Sequence, residues 1–467
     1  MHEPAARSEA ARLPPLAAAA SPVESTAWPP RRYAWYVVAV LLASSIVSFL
    51  DRQIIALVVQ NIKASLKLTD LQIGLLQGPP FGIFYAVMAL PIAFLADRYS
   101  RRNLVIGGLA FWSLATAACG LAGGFVQLFT ARACVAVGEA TLNPCAYSII
   151  SDCFARQRRA FALSIYTTGT LVGVGLAMVI GGAVLALGEH LRGVSYPWIG
   201  QLQPWQFAFV AVGLPGLFLS LLLLTVREPT RRGRIAAKKE AVSKVGGLTF
   251  GDFIKAHGKA FFPLFLSFAL LALVTYANFA WVPTYFIRMF GWGASKAGYI
   301  FGAVVTISGA GGTLAGGWLS DVLDRRGHKD APYRAVFLST LPVVPLSICA
   351  FTLAPNAAWA MSIYAVLQFF TAFPSGLAAA AMMALAPNEM RAKTTAVYYL
   401  CVNLIGVTLG ATSVGFLTTQ VFHSDQRLGL SLAIVTAIAA PLALLLIGGG
   451  MKHYRRSISD IERQITD

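Results

Sequence analysis

Long apolar runs separated by short polar segments dominate the chain. Twelve of them are long enough to cross a hydrocarbon core of ~30 Å, which takes about 20 residues in a helix. We expect these spans to cover residues 33–62, 71–96, 103–122, 126–151, 160–187, 204–226, 261–287, 296–320, 335–354, 357–386, 393–420 and 428–450. The pattern predicts an all-α, multi-pass integral membrane protein with twelve transmembrane helices.

The composition supports a membrane protein over a soluble one. Of the 467 residues 57% are hydrophobic and 12% are charged, whereas an average soluble domain carries roughly 25% charged residues. Five of the six cysteines fall within spans and Cys153 lies at a helix end. We interpret the cysteines as small packing residues, and we expect no disulfide and no metal site.

Positive charge is distributed unevenly over the loops. Of the 37 Lys and Arg residues, 29 fall in the tails and in the loops that join even-numbered to odd-numbered spans, and 6 fall near the opposite end. By the positive-inside rule both termini are cytoplasmic. The net charge of +17 is concentrated in runs such as RRGRIAAKK at 231–239. Such runs favour contact with anionic membrane lipids over nucleic acid.

The chain contains an internal repeat. AFLADRYSRR at 93–102 follows the second span, and GWLSDVLDRR at 317–326 follows the eighth, so that Asp97 and Asp321 are offset by 224 positions. Transporters are commonly built from such repeats. We expect a disordered cytoplasmic tail (1–32), an N-terminal six-helix bundle (33–226), a cytoplasmic linker (227–260), a C-terminal six-helix bundle (261–450) and a cytoplasmic tail (451–467).

These repeated loops resemble the signature Gly-x-Leu-Ala-Asp-Arg-x-Gly-Arg-Arg of the major facilitator superfamily. Ala93 and Ser100 replace its two glycines, while the second copy keeps Gly317 and Leu319. The loops predict a latch that breaks when the halves rock, with ordinary charged helix ends as the alternative. The expected gating residues are Asp97, Arg98, Arg101, Arg102, Asp321 and Arg325. The resemblance also implies that spans 1, 4, 7 and 10 line a central cavity.

Four ionisable residues lie within spans, all in the N-terminal half: Asp51 and Arg52 in span 1, and Arg132 and Glu139 in span 4. An unpaired charge at this depth costs roughly 2.5 to 3.5 kcal/mol, so such residues are functional candidates. At about 1.5 Å per residue, the four can meet in one layer of the bundle. Arg132 and Glu139 are seven residues apart and therefore face the same way.

The two carboxylates are the candidates to bind a transported proton, because all six histidines fall in tails or loops. We expect Glu139 to be the protonation site and Asp51 its coupled partner, since Arg52 adjoins Asp51 in sequence. The alternative is a static salt-bridge network that only fixes helix packing.

The C-terminal half contributes a different surface, because its spans 7 and 10 carry no charge. An anionic or zwitterionic headgroup held by Arg52 or Arg132 would then face an uncharged, aromatic wall, which suits an amphipathic substrate. The alternative is that these aromatic residues pack against helices or lipid. The candidates on the wall are Tyr276, Asn278, Trp281, Tyr364, Gln368 and Phe369.

Two stretches resemble the spinster branch of the superfamily, which carries Asp-Arg in the first helix and Arg-x5-Gly-Glu-Ala in the fourth. The matching residues are Asp51, Arg52, Arg132, Gly138, Glu139 and Ala140. The resemblance implies a secondary transporter of bacterial type, in the inner membrane. It implies proton linkage, as in bacterial relatives, and lysophospholipid-like or sphingolipid-like cargo, as in animal ones.

We therefore expect a monomeric, proton-coupled transporter of a small amphipathic molecule that works by alternating access. The alternatives are an organic-anion or drug transporter of the same fold, and a membrane receptor that transports nothing. No motif for nucleotide binding, metal ligation or nucleophilic catalysis occurs in the sequence. We accordingly expect no enzyme activity and no cofactor, with the proton as the coupling ion.

Overall fold

The computed structural model describes residues 28–191, 193–196, 200–231, 250–386 and 391–466. Each of the twelve predicted spans falls on helix, which confirms the all-α class. Ten helical segments in the described residues are long and apolar enough to cross a membrane, and residues 70–98 form an eleventh if that bent pair is one span. The third predicted span coincides with α4, a 19-residue helix outside that group, so the number twelve stays a prediction.

The described residues of the N-terminal half form eight helices, a π-helical segment at Pro80–Phe84 and one small hairpin. In the hairpin β1 (Ser195–Tyr196) pairs antiparallel with β2 (Gly200–Gln201). The helices are α1 (Arg31–Leu66), α2 (Asp70–Gln77), α3 (Tyr85–Arg98), α4 (Arg101–Cys119), α5 (Phe125–Glu139), α6 (Leu142–Cys153), α7 (Arg156–His190) and α8 (Pro204–Leu223).

In the C-terminal half, residues 250–386 and 391–466 form ten helices with three π-helical interruptions, at Cys349–Leu353, Val402–Val407 and Leu417–Val421, and a 3-10 turn at Asp425–Arg427. The helices are α9 (Phe250–Ala256), α10 (Gly258–Phe290), α11 (Ala294–Arg325), α12 (Ala331–Thr340), α13 (Val343–Ile348), α14 (Ala357–Thr371), α15 (Phe373–Leu385), α16 (Arg391–Cys401), α17 (Thr408–Phe416) and α18 (Leu428–Thr466).

Prolines divide the two spans that matter most for the site. Pro79 lies between α2 and the π-helical segment, and Pro80 is the first residue of that segment. Because proline has no N–H, Pro80 cannot bond to the carbonyl of Leu76 one turn earlier. In the same way Pro144 leaves the carbonyl of Ala140 without its usual donor, at the break between α5 and α6. Glu139 is consequently the last residue of a helix.

The two halves pack against each other through α7 on α11, α2 on α17 and α1 on α10. We call the end of the bundle that carries residues 67–69 and 422–427 the outer end, and the opposite end the inner end, following the predicted topology. Contacts between α7 and α11 extend from the outer end to mid-depth. There Gly175 and Gly302 approach so closely that a Cβ on Gly302 would lie 2.5 Å from the Gly175 carbonyl oxygen.

The structure shows helix in two segments for which the sequence predicted only a location. The segment expected as a cytoplasmic tail from residue 451 continues α18 as helix to Thr466. The helix persists because Tyr454 and Ile458, one turn apart, are buried in an apolar cluster with Phe253 of α9. Helix α9 itself lies in the segment expected to be a linker. Residues 1–27 of the predicted tail and 232–249 of the predicted linker lie outside the described residues.

Candidate functional site

The four charged residues predicted to meet do lie together, between α1 and α5. We call Asp51, Arg52, Arg132 and Glu139 the charged layer. Arg52 Nε lies 2.5 Å from Glu139 Oε2 in an ion pair. Arg132 donates hydrogen bonds to the backbone oxygens of Asp51 at 2.7 Å and Arg52 at 3.2 Å. The depth argument from sequence therefore predicted this assembly correctly.

The pairing inside the charged layer differs from our expectation. We expected Arg52 to neutralise its neighbour Asp51, but it binds Glu139 instead. Asp51 is fully buried and neither of its carboxylate oxygens has a hydrogen-bond partner. Consecutive helical residues point about 100° apart, so Arg52 faces the middle of the molecule, whereas Asp51 faces Trp112 and Thr116 of α4.

Arg132 lies deeper than a cargo-binding residue would. Its side chain is 1% exposed, and besides the two carbonyls of α1 it reaches the Leu76 oxygen of α2 at 3.5 Å. That is the carbonyl that Pro80 leaves without a donor. Arg132 therefore links α1 to α2 through backbone groups, and in this structure it has no face on the cavity.

Arg52 does line a cavity of about 50 Å³ between the two halves. Its guanidinium carbon lies 4.9 Å from the centre of the Phe81 ring and 5.0 Å from that of Tyr85. Sequence reasoning missed most of the lining, although the spacing of 276, 279 and 280 on one helix face could have indicated part of it. The lining residues are Arg52, Gln53, Gln77, Phe81, Tyr276, Phe279, Ala280, Val407 and Ala411.

The aromatic wall expected on the C-terminal half is only partly present. Of the six candidates, Tyr276 lines the cavity and the other five do not. Asn278, Trp281, Tyr364 and Gln368 are buried inside the half, and Phe369 packs against the glycines of α11. The reason is helical periodicity: residues 276 and 280 share one face of α10, and 278 and 281 lie on others.

Arg101, one of the predicted gating residues, belongs to an inner network that we define as Arg101, Asp152 and Glu228. Arg101 binds Asp152 at 2.5 Å and Glu228 at 2.8 Å. Glu228 also accepts the backbone N–H of Arg102 at 2.8 Å. Burial alone would raise the pKa of Glu228, but the hydrogen bonds from Arg102, Arg101 and Ser100 outweigh it and hold the pKa below its usual value.

The contacts of Arg98 and Arg325 are local, whereas Asp97 is contacted by a residue distant in sequence. Arg98 lies 4.1 Å from the centre of the Phe94 ring, and Arg325 Nε donates to the Asp321 backbone oxygen of its own helix at 3.3 Å. The backbone oxygen of Asp97 accepts a hydrogen bond from Arg231. We interpreted Arg231 as part of a cytoplasmic rim, and the structure shows that it also binds the carbonyls at the end of α3.

A second ion network, which sequence reasoning missed, closes the outer end. We define the outer network as Lys63, Asp70, Arg288 and Asp425. Lys63 binds Asp70 and Asp425, each at 2.6 Å, and Arg288 binds Asp70 at 2.8 Å. Because only 6 of the 37 basic residues lie near this end, the isolated Lys63 and Arg288 were the signal that could have found it.

Comparisons with known proteins agree with this architecture. A family model described as Major Facilitator Superfamily matches residues 41–411. An "MFS-type efflux pump" of Mycolicibacterium smegmatis is 27% identical over 93% of this chain and 96% of its own length. "Protein spinster homolog 1" of Homo sapiens is 31% identical over 54% of this chain, which spans 46% of the human protein's length.

A solved structure resembles the whole chain. It is described as a bacterial homolog of the human lysosomal transporter spinster, in an inward-facing and unoccupied conformation. It superposes with a TM-score of 0.77 at 27% identity, over 93% of this chain and 99% of that one.

Proposed function

This chain belongs to the major facilitator superfamily as a transporter of the spinster type, and from that premise we propose that it carries an amphipathic, lipid-like molecule in exchange or in company with protons. The cargo we propose is a lysophospholipid-like or sphingolipid-like molecule. Transport occurs by alternating access, in which the two halves rock about the cavity.

The observation that carries proton coupling is the state of Asp51. Its carboxylate is fully buried, and neither oxygen accepts a hydrogen bond. A buried charge without a partner is costly, and a proton removes that cost. Glu139 is the coupled partner, because one of its oxygens binds Arg52 and the other has no hydrogen-bond partner. We thus reverse the order expected from sequence and assign protonation first to Asp51.

The position of the cavity supports alternating access. The outer network joins Lys63 and Asp70 of the N-terminal half to Arg288 and Asp425 of the C-terminal half. The inner network, by contrast, stays within the N-terminal half. Ion pairs that join the two halves are therefore present at the outer end, which supports cargo access from the inner end.

The lining of the cavity supports an amphipathic cargo. Arg52 supplies a cation to one wall, and Phe279, Ala280 and Val407 supply an apolar surface opposite. A guanidinium is suited to carboxylate or phosphate oxygens, and an acyl chain would lie against the apolar wall. Arg132, which we expected as a second headgroup ligand, contributes charge from behind the wall.

We propose further that the protein works as a monomer in a bacterial inner membrane, with both termini cytoplasmic. The excess of Lys and Arg at the inner end supports this orientation. The proton is the coupling ion, and the activity is transport rather than catalysis.

Asp51→Asn tests proton coupling. In proteoliposomes that contain fluorescent lysophosphatidylglycerol, we expect uptake or release by the wild type to depend on an imposed pH gradient. We expect the variant to lose that dependence, because asparagine cannot exchange a proton. Asp324→Asn, which removes an exposed carboxylate at the inner end, is the matched control. An Asp51→Asn variant with the wild-type response to the gradient would refute the assignment.

Two alternatives of the same fold remain. The similarity to an efflux pump favours a drug transporter, and Arg52 would equally suit an organic anion. A thermal-shift panel of lysolipids, small carboxylates and cationic drugs distinguishes the three, because the true cargo class stabilises the purified protein in proportion to occupancy. A receptor that transports nothing would bind a ligand of this panel and show no flux.

A further inference from the structure

Three polar side chains form a hydrogen-bonded chain that ends beside the charged layer. The Tyr166 hydroxyl of α7 donates to Asn143 Oδ1 of α6 at 2.9 Å, and Asn143 Nδ2 donates to the Tyr85 hydroxyl oxygen of α3 at 3.2 Å. The Tyr85 ring in turn lies 5.0 Å from the guanidinium carbon of Arg52. The chain therefore joins three helices to the cation that lines the cavity.

The direction of these hydrogen bonds determines what Tyr85 can do. An amide nitrogen only donates, so the Tyr85 oxygen acts as the acceptor toward Asn143 and its own proton remains for another group. Among the described residues, no acceptor lies within hydrogen-bond distance of that proton. The Tyr85 hydroxyl is thus a donor without an acceptor among the described residues, on a ring whose centre lies 5.0 Å from the Arg52 guanidinium carbon.

Arg52 is in a similar condition. Glu139 accepts the hydrogen bond from its Nε atom, while in the described part of the chain its two terminal nitrogens bind no acceptor. These terminal nitrogens form a planar pair of donors that fits a carboxylate or phosphate group. Two kinds of donor consequently occur in one region: the guanidinium of Arg52, which lines the cavity, and the hydroxyl of Tyr85, whose ring packs against that guanidinium.

We propose that Tyr85 is a headgroup-binding residue that donates its hydroxyl proton to the anionic oxygen held by Arg52. Asn143 and Tyr166 are positioning residues, which act by directing that hydroxyl. The proposal rests on the function proposed above and names the chemistry of its cargo: a single carboxylate or phosphate group that accepts hydrogen bonds from both Arg52 and Tyr85.

The construction of the chain supports a role beyond packing. Tyr166 is fully buried, and burying polar groups without partners is costly. A row of apolar side chains would fill the same space without that cost. The break in span 4 places Asn143 just after Glu139, so the amide that directs Tyr85 follows the carboxylate that binds Arg52. Both partners of the anionic oxygen are oriented from one short segment.

The test compares binding of three probes that share an oleoyl chain: lysophosphatidylglycerol carries a phosphate, oleate a carboxylate, and monooleoylglycerol no charge. Dissociation constants are measured for the purified full-length protein and for Tyr85→Phe. We expect the variant to lose about tenfold in affinity for the two anionic probes, as for one hydrogen bond to a charged group, and to bind monooleoylglycerol as the wild type does.

Tyr147→Phe is the matched control. Tyr147 packs edge-on against Tyr166 with ring centres 5.4 Å apart, and it is 42% exposed. Removing this hydroxyl should leave all three affinities unchanged. Loss with one anionic probe alone would still support the proposal and would identify the headgroup as phosphate or carboxylate.

Asn143→Leu and Tyr166→Phe test the positioning residues through the ratio of affinities for lysophosphatidylglycerol and monooleoylglycerol. Both should lower this ratio by less than Tyr85→Phe does, because the hydroxyl remains but turns freely. If Asn143 and Tyr166 had a purely structural role, their variants would lose affinity for both probes equally, and that result would overturn the proposal. If the wild type binds the anionic probes and Tyr85→Phe binds them with the same affinity, the role of Tyr85 is refuted, while the proposed cargo class stands. A wild type that binds none of the three would overturn the cargo class as well.

Discussion

The outer and inner ends of the molecule both carry a buried ion network, and the two networks differ in what they join. At the outer end Asp70 of one half accepts from Arg288 of the other at 2.8 and 3.0 Å. At the inner end Arg101 binds Asp152 and Glu228 of its own half. The first network must break for the outer end to open, and the second can persist through the whole cycle.

The outer network therefore acts on the opening of the outer end, and the inner network acts on the stability of one half, although both are made of the same residue types. Removing one partner of a buried ion pair leaves an uncompensated charge, with a cost of about 3 to 5 kcal/mol. At the outer end that cost falls on the closed state alone, so it changes a conformational equilibrium. At the inner end it falls on both states and changes stability. Three variants test this separation.

Asp70→Asn should have the largest effect. The buried carboxylate accepts from Lys63 and Arg288, and without it the outer-closed state loses its main ion pairs. A penalty of about 3 kcal/mol would shift the population of that state by roughly two orders of magnitude. Electron paramagnetic resonance distances between labels at positions 67 and 426, in a cysteine-free background, should move to a longer, outer-open distribution.

Asp324→Asn is the control for that measurement, since it removes an exposed carboxylate outside both networks. Retention of the short distribution in Asp70→Asn would show that the helix packing, rather than the outer network, holds the outer end closed.

Gly302→Ala should have an intermediate effect on the same distances. A Cβ at this position would lie 2.5 Å from the Gly175 carbonyl oxygen of the other half, and backbone cannot yield as a side chain does. Overpacking of this kind costs about 1 to 3 kcal/mol and penalises the outer-closed state. Gly317→Ala in the same helix has no neighbouring atom within 4 Å, and it should leave the distances unchanged. If the label distances in Gly302→Ala and Gly317→Ala were the same, that result would contradict the close approach of α7 and α11.

Glu228→Gln should have the smallest effect, and on stability alone. The pKa of Glu228 is lowered in the folded state by its hydrogen bonds, so its stabilising contribution is present above the usual pKa of about 4.3 and disappears as the pH falls through the folded value. The variant should unfold about 2 to 4 °C lower than the wild type at pH 7. The two melting temperatures should converge as the pH is lowered, with outer-end distances unchanged.

Sequence predicted the helices and the charged layer well, because both follow from one-dimensional regularities. Apolar runs of fixed length predict spans, and the 7-residue spacing of Arg132 and Glu139 places them on one helix face. The depth of Asp51 follows from counting residues along α1 in the same way. These arguments need no knowledge of which helix lies next to which.

The partners of each residue could not be derived in that way. Arg52 and Asp51 are adjacent in sequence, yet only Arg52 reaches Glu139, because the rotation of α1 in the bundle decides which of them faces α5. The outer network joins residues more than 200 positions apart, such as Asp70 and Arg288. Trp281 appeared to be a cavity residue from its type, but its ring N–H binds the Ala411 backbone oxygen inside the C-terminal half.

The charged layer also determines how many charges can cross together. The layer contains two guanidinium groups and two carboxylates, so its formal charge is zero when both carboxylates are ionised. One proton on Asp51 changes the sum to +1, and a single anionic headgroup at Arg52 returns it to zero. A proton and a monovalent anion that occupy the layer together would traverse the bilayer as an electroneutral pair, with no work done against the membrane potential.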